Sequence, residues 1–268
     1  MKYIDKLRTI IKKKNTHLTI GIDPDVTKIP EFFFNEYSNP IEKFCENVIE
    51  NTLDYATAFK FNIAFFEYFG EAGFKALENS LRLISDKAIT ICDGKRCDIP
   101  NTTEAYAKTY FDKLGFDAIT VSPYMGVESI EPFLNRSDKL TYILAITSNK
   151  GAYDFQLLEL KNEKKLFEEV IEKFINSYYK NLGFVFGASH IKYIEVFSKN
   201  HCHIPLLIPG IGAQGGDLKM LIESIKNELF LVNVSRAILY PTNPFVSRKE
   251  YLSSLLKSCK DYSEKIRV

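Results

Sequence analysis

The chain has no tryptophan, only three methionines and only four histidines among its 268 residues. It also lacks an excess of either charge: 35 Lys+Arg face 34 Asp+Glu, for a formal net charge of +1. That balance excludes nucleic acid or an anionic membrane held by bulk electrostatics, while a local basic site stays open to a small anion. No stretch approaches the roughly 18 apolar residues of a membrane-spanning helix. The N-terminal segment carries Lys6, Arg8, Lys12, Lys13 and Lys14 in place of the apolar core of a signal peptide. The five cysteines (Cys45, Cys92, Cys97, Cys202 and Cys259) are scattered and nowhere spaced as CxxC. This excludes the disulfide framework of a small secreted domain and reads as reduced thiols in a cytosolic protein. His201-Cys202-His203 are adjacent and lack converging further ligands, so they do not read as a zinc site. No GxGxxG or Walker loop opens the first helix, which argues against the nucleotide-binding open-sheet folds.

What is present is a core. Apolar residues make up 46% and charged residues 26%, the balance of a soluble globular protein. Eight short apolar or β-branched runs read as strands: 17–23, 55–62, 88–95, 118–123, 141–148, 183–189, 205–212 and 230–237. Helical patterns fill the gaps. Ile41, Phe44, Cys45, Val48 and Ile49 recur on one helical face, as do Leu166, Phe167, Val170, Ile171, Phe174, Ile175 and Tyr178. Further helices are expected near 71–86, 101–114, 126–135, 190–199, 216–227 and 247–264. Eight alternating βα units predict an α/β fold, a (β/α)8 TIM barrel forming a single domain over residues 1–268. Two connections are long, near 24–39 and 149–162, and the second holds Gly151, Tyr153 and Phe155, which suits a mobile cover.

The polar residues gather at one end of the predicted barrel. Strand 1 ends in Asp23, and strand 2 carries Lys60 and Asn62. Strand 3 runs into Asp93-Gly94-Lys95-Arg96-Cys97-Asp98, and strand 5 into Thr147-Ser148-Asn149. Side-chain alternation predicts Asp93 and Lys95 on one face. Charges of alternating sign at a strand end must compensate one another, and such clusters are usually sites. Strand 7 continues into Pro209-Gly210-Ile211-Gly212-Ala213-Gln214-Gly215-Gly216, and strand 8 ends in Ser235-Arg236. Glycines let backbone N–H groups approach an anion, and Arg236 adds a planar donor fork, so this end of the barrel is a candidate phosphate site.

On these residues the chain resembles orotidine 5'-phosphate decarboxylase from Gly21-Ile22-Asp23 to Arg236. The motif is Asp-x-Lys-x-x-Asp at Asp93, Lys95 and Asp98, followed by Ile99 and Thr102. Phe59-Lys60-Phe61-Asn62, Thr147-Ser148-Asn149, the 209–214 segment and Ser235-Arg236-Ala237 support it. It is most similar to the longer subgroup whose motif reads Asp-x-Lys-Arg-x-Asp-Ile. The resemblance implies conversion of orotidine 5'-monophosphate to UMP and CO2, the last step of de novo pyrimidine synthesis, with no metal and no cofactor. It implies that Lys95 protonates C6, that Asp93 lies beside the substrate carboxylate, and that Lys60 and Asp98 complete the charged array. Asp23, Asn62 and Thr102 would contact the ribose, and Ser148 with Thr147 the pyrimidine. Gln214, Arg236 and the Ser235 amide would hold the phosphate. It also implies a cytoplasmic homodimer in which Asp98 and Thr102 enter the neighbouring subunit's site. Cys97 and Pro100 depart from the small residues common in the family. Pro100 is expected at the start of the next helix and Cys97 in packing.

Two other readings remain at this stage. A Mg-dependent sugar-phosphate decarboxylase or aldolase of the same suprafamily would share the strand 3 motif, but would need an acidic metal ligand where Lys60 stands. A non-catalytic ribonucleotide-binding barrel would have no need of the Lys60, Asp93, Lys95 and Asp98 array.

Overall fold

The eight runs become eight strands, most of them shorter than their sequence signals, because the polar ends turn away into loops. They are β1 (Leu18–Ile22), β2 (Ala58–Asn62), β3 (Ile89–Arg96), β4 (Ala118–Val121), β5 (Leu140–Ile146), β6 (Leu182–Phe186), β7 (Leu206–Pro209) and β8 (Phe230–Val234). The computed structural model describes residues 2–211, 217–241 and 247–267. All neighbours pair in parallel, and β1 closes on β8 to make a barrel in sequence order.

The helices are α1 (Tyr3–Lys14), α2 (Glu31–Glu36), α3 (Pro40–Thr52), α4 (Ile63–Tyr68), α5 (Gly70–Ile84), α6 (Pro100–Ala107), α7 (Glu131–Leu134), α8 (Leu166–Ile175), α9 (Ile191–Asn200), α10 (Leu218–Ser224), α11 (Arg236–Leu239) and α12 (Arg248–Lys265). Their starts follow local chemistry. Asn39 caps α3 by accepting from the Glu42 N–H, and Asp217 and Ser247 do the same for α10 and α12. Pro100 takes the first turn of α6, where its missing N–H costs nothing.

Three expectations change. The helix expected over 126–135 shrinks to the four residues of α7. Gly126 sits at φ 93°, and Pro132 is tolerated only in a first turn, so the helix cannot extend back toward Gly126. The helix expected over 101–114 ends its α-helical part at Ala107 and continues as a π-helical turn over Lys108–Lys113. Strand 8 stops at Val234. Ser235 turns the chain, so Arg236 opens α11 and does not end a strand.

Two apolar layers hold the barrel. Outside, the strands pack against the helices through residues such as Phe44, Phe61, Phe116, Phe184 and Tyr251. Inside, Ala58, Ile91, Ala118, Tyr142, Val185, Leu207 and Leu231 fill the lumen, and Tyr3, Leu7, Ile10 and Ile11 of α1 join them. The amphipathic N-terminal segment is therefore a plug. Tyr3 and Tyr142 share a buried hydroxyl contact at 2.9 Å, and Lys6 reaches Asp117, just before β4, at 2.9 Å. With the N-terminal end closed by α1, chemistry is left to the opposite end, where the strands run out.

Candidate active site

At the C-terminal end of the barrel the charged residues form one connected array. Lys60 Nζ donates to Asp93 Oδ2 at 2.7 Å, and Lys95 Nζ donates to Asp93 Oδ1 at 2.6 Å. One carboxylate is thus held between two ammonium groups. The Lys60 and Asp93 side chains are 6% and 11% exposed, while Lys95 is 49% exposed and faces the mouth. Burial alone would raise the Asp93 carboxyl, but Lys60 and Lys95 outweigh it and hold it well below the ordinary carboxylate range. Burial alone would lower the Lys60 ammonium, but Asp93 and then Asp23 hold it above the ordinary lysine value. Both groups therefore stay charged although largely buried.

The β3 contact arises differently from the expected alternation. β3 bulges between Cys92 and Arg96, and Lys95 adopts φ 48°, in the left-handed region. The bulge, and not a regular period of two, brings the Lys95 ammonium back onto Asp93. On the outer side, Arg96 bonds Glu67 of α4 and Tyr110 of the π-helical turn, and its guanidinium lies 5.0 Å from the Tyr106 ring centroid. These contacts clamp the motif to the helices on either side.

Around the array stand the other expected residues. Asp23 follows β1, with one carboxylate oxygen accepting from Ser235 Oγ and the other, Oδ1, buried without a hydrogen-bond partner among the described residues. Asn62 ends β2 directly opposite Asp93. Ser148 follows β5 with a buried hydroxyl that also has no hydrogen-bond partner among the described residues. Orphaned buried polar atoms are uncommon, and among the described residues those of Asp23 and Ser148 at the barrel mouth are what a polar ligand would complete. Thr147 differs. Its hydroxyl bonds Asn149, and Gln156 of the long loop reaches back to its N–H at 2.8 Å. Arg236 is exposed at the start of α11. Gln214 and the glycines at 212, 215 and 216 lie outside the described residues.

Asp98 and Thr102 do not join the array within this chain. Asp98 Oδ1 accepts from the Ile99 N–H, and no ion pair joins it to Lys60 or Lys95 among the described residues. Thr102 is half-buried in the first turn of α6. Cys97 packs against Ser129, its sulfur 3.3 Å from the hydroxyl.

Comparisons with known proteins place the chain in a family. The description "Orotidine 5'-phosphate decarboxylase / HUMPS family" matches residues 16–251. The chain belongs to this family. Orotidine 5'-phosphate decarboxylase of Christiangramia forsetii is 42% identical over 239 residues, covering 87% of each chain. That of Dehalococcoides mccartyi strain 195 is 38% identical over 247 residues, covering 90% of this chain and 89% of the other. Among solved structures, Leishmania donovani OMP decarboxylase superposes with a TM-score of 0.81 at 30% identity, covering 99% of this chain and 98% of that one. L. donovani UMP synthase gives a TM-score of 0.83 at 32% identity, and this chain spans 56% of its length.

Within this orotidine 5'-phosphate decarboxylase / HUMPS barrel, sequence reasoning missed several residues that shape the site. Thr120 on β4 contacts both Asp93 and Lys95. Tyr240 donates to the Asp23 carbonyl at 2.8 Å, accepts from the Asp25 N–H, and stacks on Phe44. His190 places Nε2 at 2.9 Å from the Thr147 carbonyl, which can only accept, so that nitrogen carries the proton. Gly187, after β6, gives Ser148 its position. A Cβ there would lie 2.3 Å from Ser148 Oγ and 2.5 Å from its N, closer than atoms can pack. Gly187→Ala is therefore expected to keep the barrel folded while weakening UMP binding by about tenfold, the worth of one well-placed hydrogen bond. Calorimetric titration with UMP checks this, and unchanged affinity would separate Ser148 from the ligand.

Proposed function

We propose that the chain converts orotidine 5'-monophosphate to UMP and CO2, the decarboxylation that closes de novo pyrimidine synthesis. The observation that carries the reading is the Lys60–Asp93–Lys95 array, a carboxylate locked between two ammonium groups at the mouth of the barrel. The C6–carboxylate bond breaks, CO2 leaves, and the electron pair stays at C6. The adjacent Lys95 ammonium stabilises that carbanion and gives it the proton that makes the new C6–H bond. Asp93 lies beside the departing carboxylate, and Lys60 keeps Asp93 ionised and fixed.

The substrate roles we propose are those that the family resemblance implies. Asp23, with one carboxylate oxygen unpartnered among the described residues, and Asn62 and Thr102 contact the ribose. Ser148 reads the pyrimidine edge. Its hydroxyl is without a partner among the described residues, whereas that of Thr147 is engaged inside the protein, so Ser148 is favoured of the two. Gln214, Arg236 and the Ser235 amide hold the phosphate. Binding energy spent on that remote group positions the ring over Lys95. A sugar-phosphate reaction routed through Mg²⁺ is disfavoured, because Lys60 presents a cation where the metal would need a carboxylate.

The same reading makes the enzyme a cytoplasmic homodimer without metal or cofactor, in which Asp98 and Thr102 act in the neighbouring site. Among the described residues Asp98 Oδ1 accepts from the Ile99 N–H and makes no ion pair with the array, which supports this, as does Ile99 beside it, 58% exposed. Among the described residues, no helix is long and apolar enough to cross a membrane.

The test is turnover of orotidine 5'-monophosphate by purified protein in EDTA, followed by ultraviolet absorbance. Rapid conversion supports the reading. A folded protein that binds UMP without converting orotidine 5'-monophosphate would be a binder and not an enzyme. For the phosphate site, Arg236→Ala is expected to lower kcat/KM by roughly 10- to 100-fold, the worth of a charged hydrogen-bond pair. An unchanged kcat/KM would remove Arg236 from that site.

A further inference from the structure

β3 and β4 leave regular register beside the array. Cys92 pairs with Ile119 and Arg96 with Val121. Three residues of β3 (Asp93, Gly94 and Lys95) therefore face a single residue of β4, Thr120. A bulge of this kind strips ladder groups of their usual partners, and Lys95 at φ 48° holds a conformation that costs about 1 kcal/mol or more. Something must hold it there.

Thr120 does so with one atom. Its Oγ1 accepts from the Lys95 backbone N–H at 3.1 Å and lies 3.0 Å from Asp93 Oδ1. The direction of the bonds follows from the groups. An amide N–H can only donate, and an ionised carboxylate can only accept. The single hydroxyl proton of Thr120 must therefore point at Asp93. Thr120 is 1% exposed, so water does not compete for that proton. Asp93 then accepts from Thr120 and Lys95 on one oxygen and from Lys60 on the other, which determines the plane of its carboxylate.

We propose that Thr120 is a positioning residue for the decarboxylation, its hydroxyl locking the Asp93 carboxylate and the Lys95 backbone into one fixed relation. The proposal rests on the decarboxylase reading, but it makes a statement about Asp93 that can be measured without turnover.

Thr120→Val keeps the branched shape and removes the hydroxyl, and Thr120→Ser keeps the hydroxyl. The valine variant is expected to lose about 10- to 100-fold in kcat with KM changed less than about threefold, and serine to restore most of the loss, as a small misplacement of reacting groups would produce. In parallel, ¹³C NMR titration of the Asp93 carboxyl should show its pKa rising in Thr120→Val and returning in Thr120→Ser. Wild-type kcat and an unmoved Asp93 titration in the valine variant would overturn the proposal. Equal loss in both variants, tracking a fall in Tm, would overturn it in favour of a packing role. If the wild type itself did not turn over orotidine 5'-monophosphate, the decarboxylase reading would fail separately. The Asp93 titration would then decide alone: a serine-reversible rise supports the hydroxyl's hold, and no rise rejects it. Should the valine variant fail to fold, Thr120→Ala is measured against Thr120→Ser with the same expectations.

Discussion

Lys95→Ala is expected to lower kcat by about four orders of magnitude or more, since on the proposed mechanism it removes both the proton donor and the cation facing C6. The two losses fall on one atom. Lys95 Nζ is the array's exposed member, half open to the mouth and anchored to Asp93 at 2.6 Å. Lys60 cannot replace it, because its ammonium is buried and already engaged on the other Asp93 oxygen. Stability should change little. Alanine keeps the Cβ at φ 48°, so the backbone strain is the same in both proteins. UMP should still bind within about tenfold of the wild-type affinity, because the proposed phosphate and ribose contacts would carry most of the capture. Stopped-flow absorbance for kcat and calorimetry for UMP separate the two effects. A variant with near-native kcat would end the proton-donor assignment, and one that no longer bound UMP would show Lys95 to be part of the binding site.

Asp93→Asn is expected to be costly in both activity and stability. Lys60 would be left as a buried ammonium beside a neutral amide, and breaking a buried ion pair typically costs about 3 kcal/mol or more. Lys95 would lose its anchor as well, so kcat should fall by about 10³-fold. The acid dependence carries a sign. The Asp93 carboxyl is held below its unfolded value, so its contribution to stability is fully present above about pH 4 and is lost as pH falls through lower values. Wild-type protein should therefore lose stability as pH falls below about 4 more steeply than Asp93→Asn, which has no carboxyl to protonate. Denaturant unfolding at several pH values measures both differences. Equal stability and equal acid slopes would mean that Asp93 carries no net pairing energy in the folded protein.

The parts of this protein that were legible early are those written in local patterns. Short β-branched runs alternating with helical periodicity specify βα units, and eight of them close a barrel because each strand needs a neighbour on both edges. Strand ends are local too. Asp23, Lys60, Asn62, Asp93, Ser148 and Arg236 announced themselves as polar groups just past apolar runs. Thr120 left a weaker trace: it is two residues beyond inward-facing Ala118, a polar side chain at a core position near a strand end. Gly187 followed a strand, as many turn glycines do.

Tertiary structure decided the contacts between elements. The register of β3 against β4 breaks at the motif, and that break aims Lys95 at Asp93, hands the Lys95 N–H to Thr120, and leaves the two oxygens of Asp93 to different lysines. No period along β3 encodes it, because a bulge is defined by what the neighbouring strand does. The clearance that lets Ser148 sit against Gly187, and the reach of Gln156 back to Thr147, likewise depend on distances across the barrel mouth. By itself the sequence determined the barrel and the identity of its charged residues, since both follow from backbone periodicity and side-chain chemistry. Their pairing and orientation belong to the closed barrel alone, because hydrogen-bond geometry is set by strands that meet only in three dimensions.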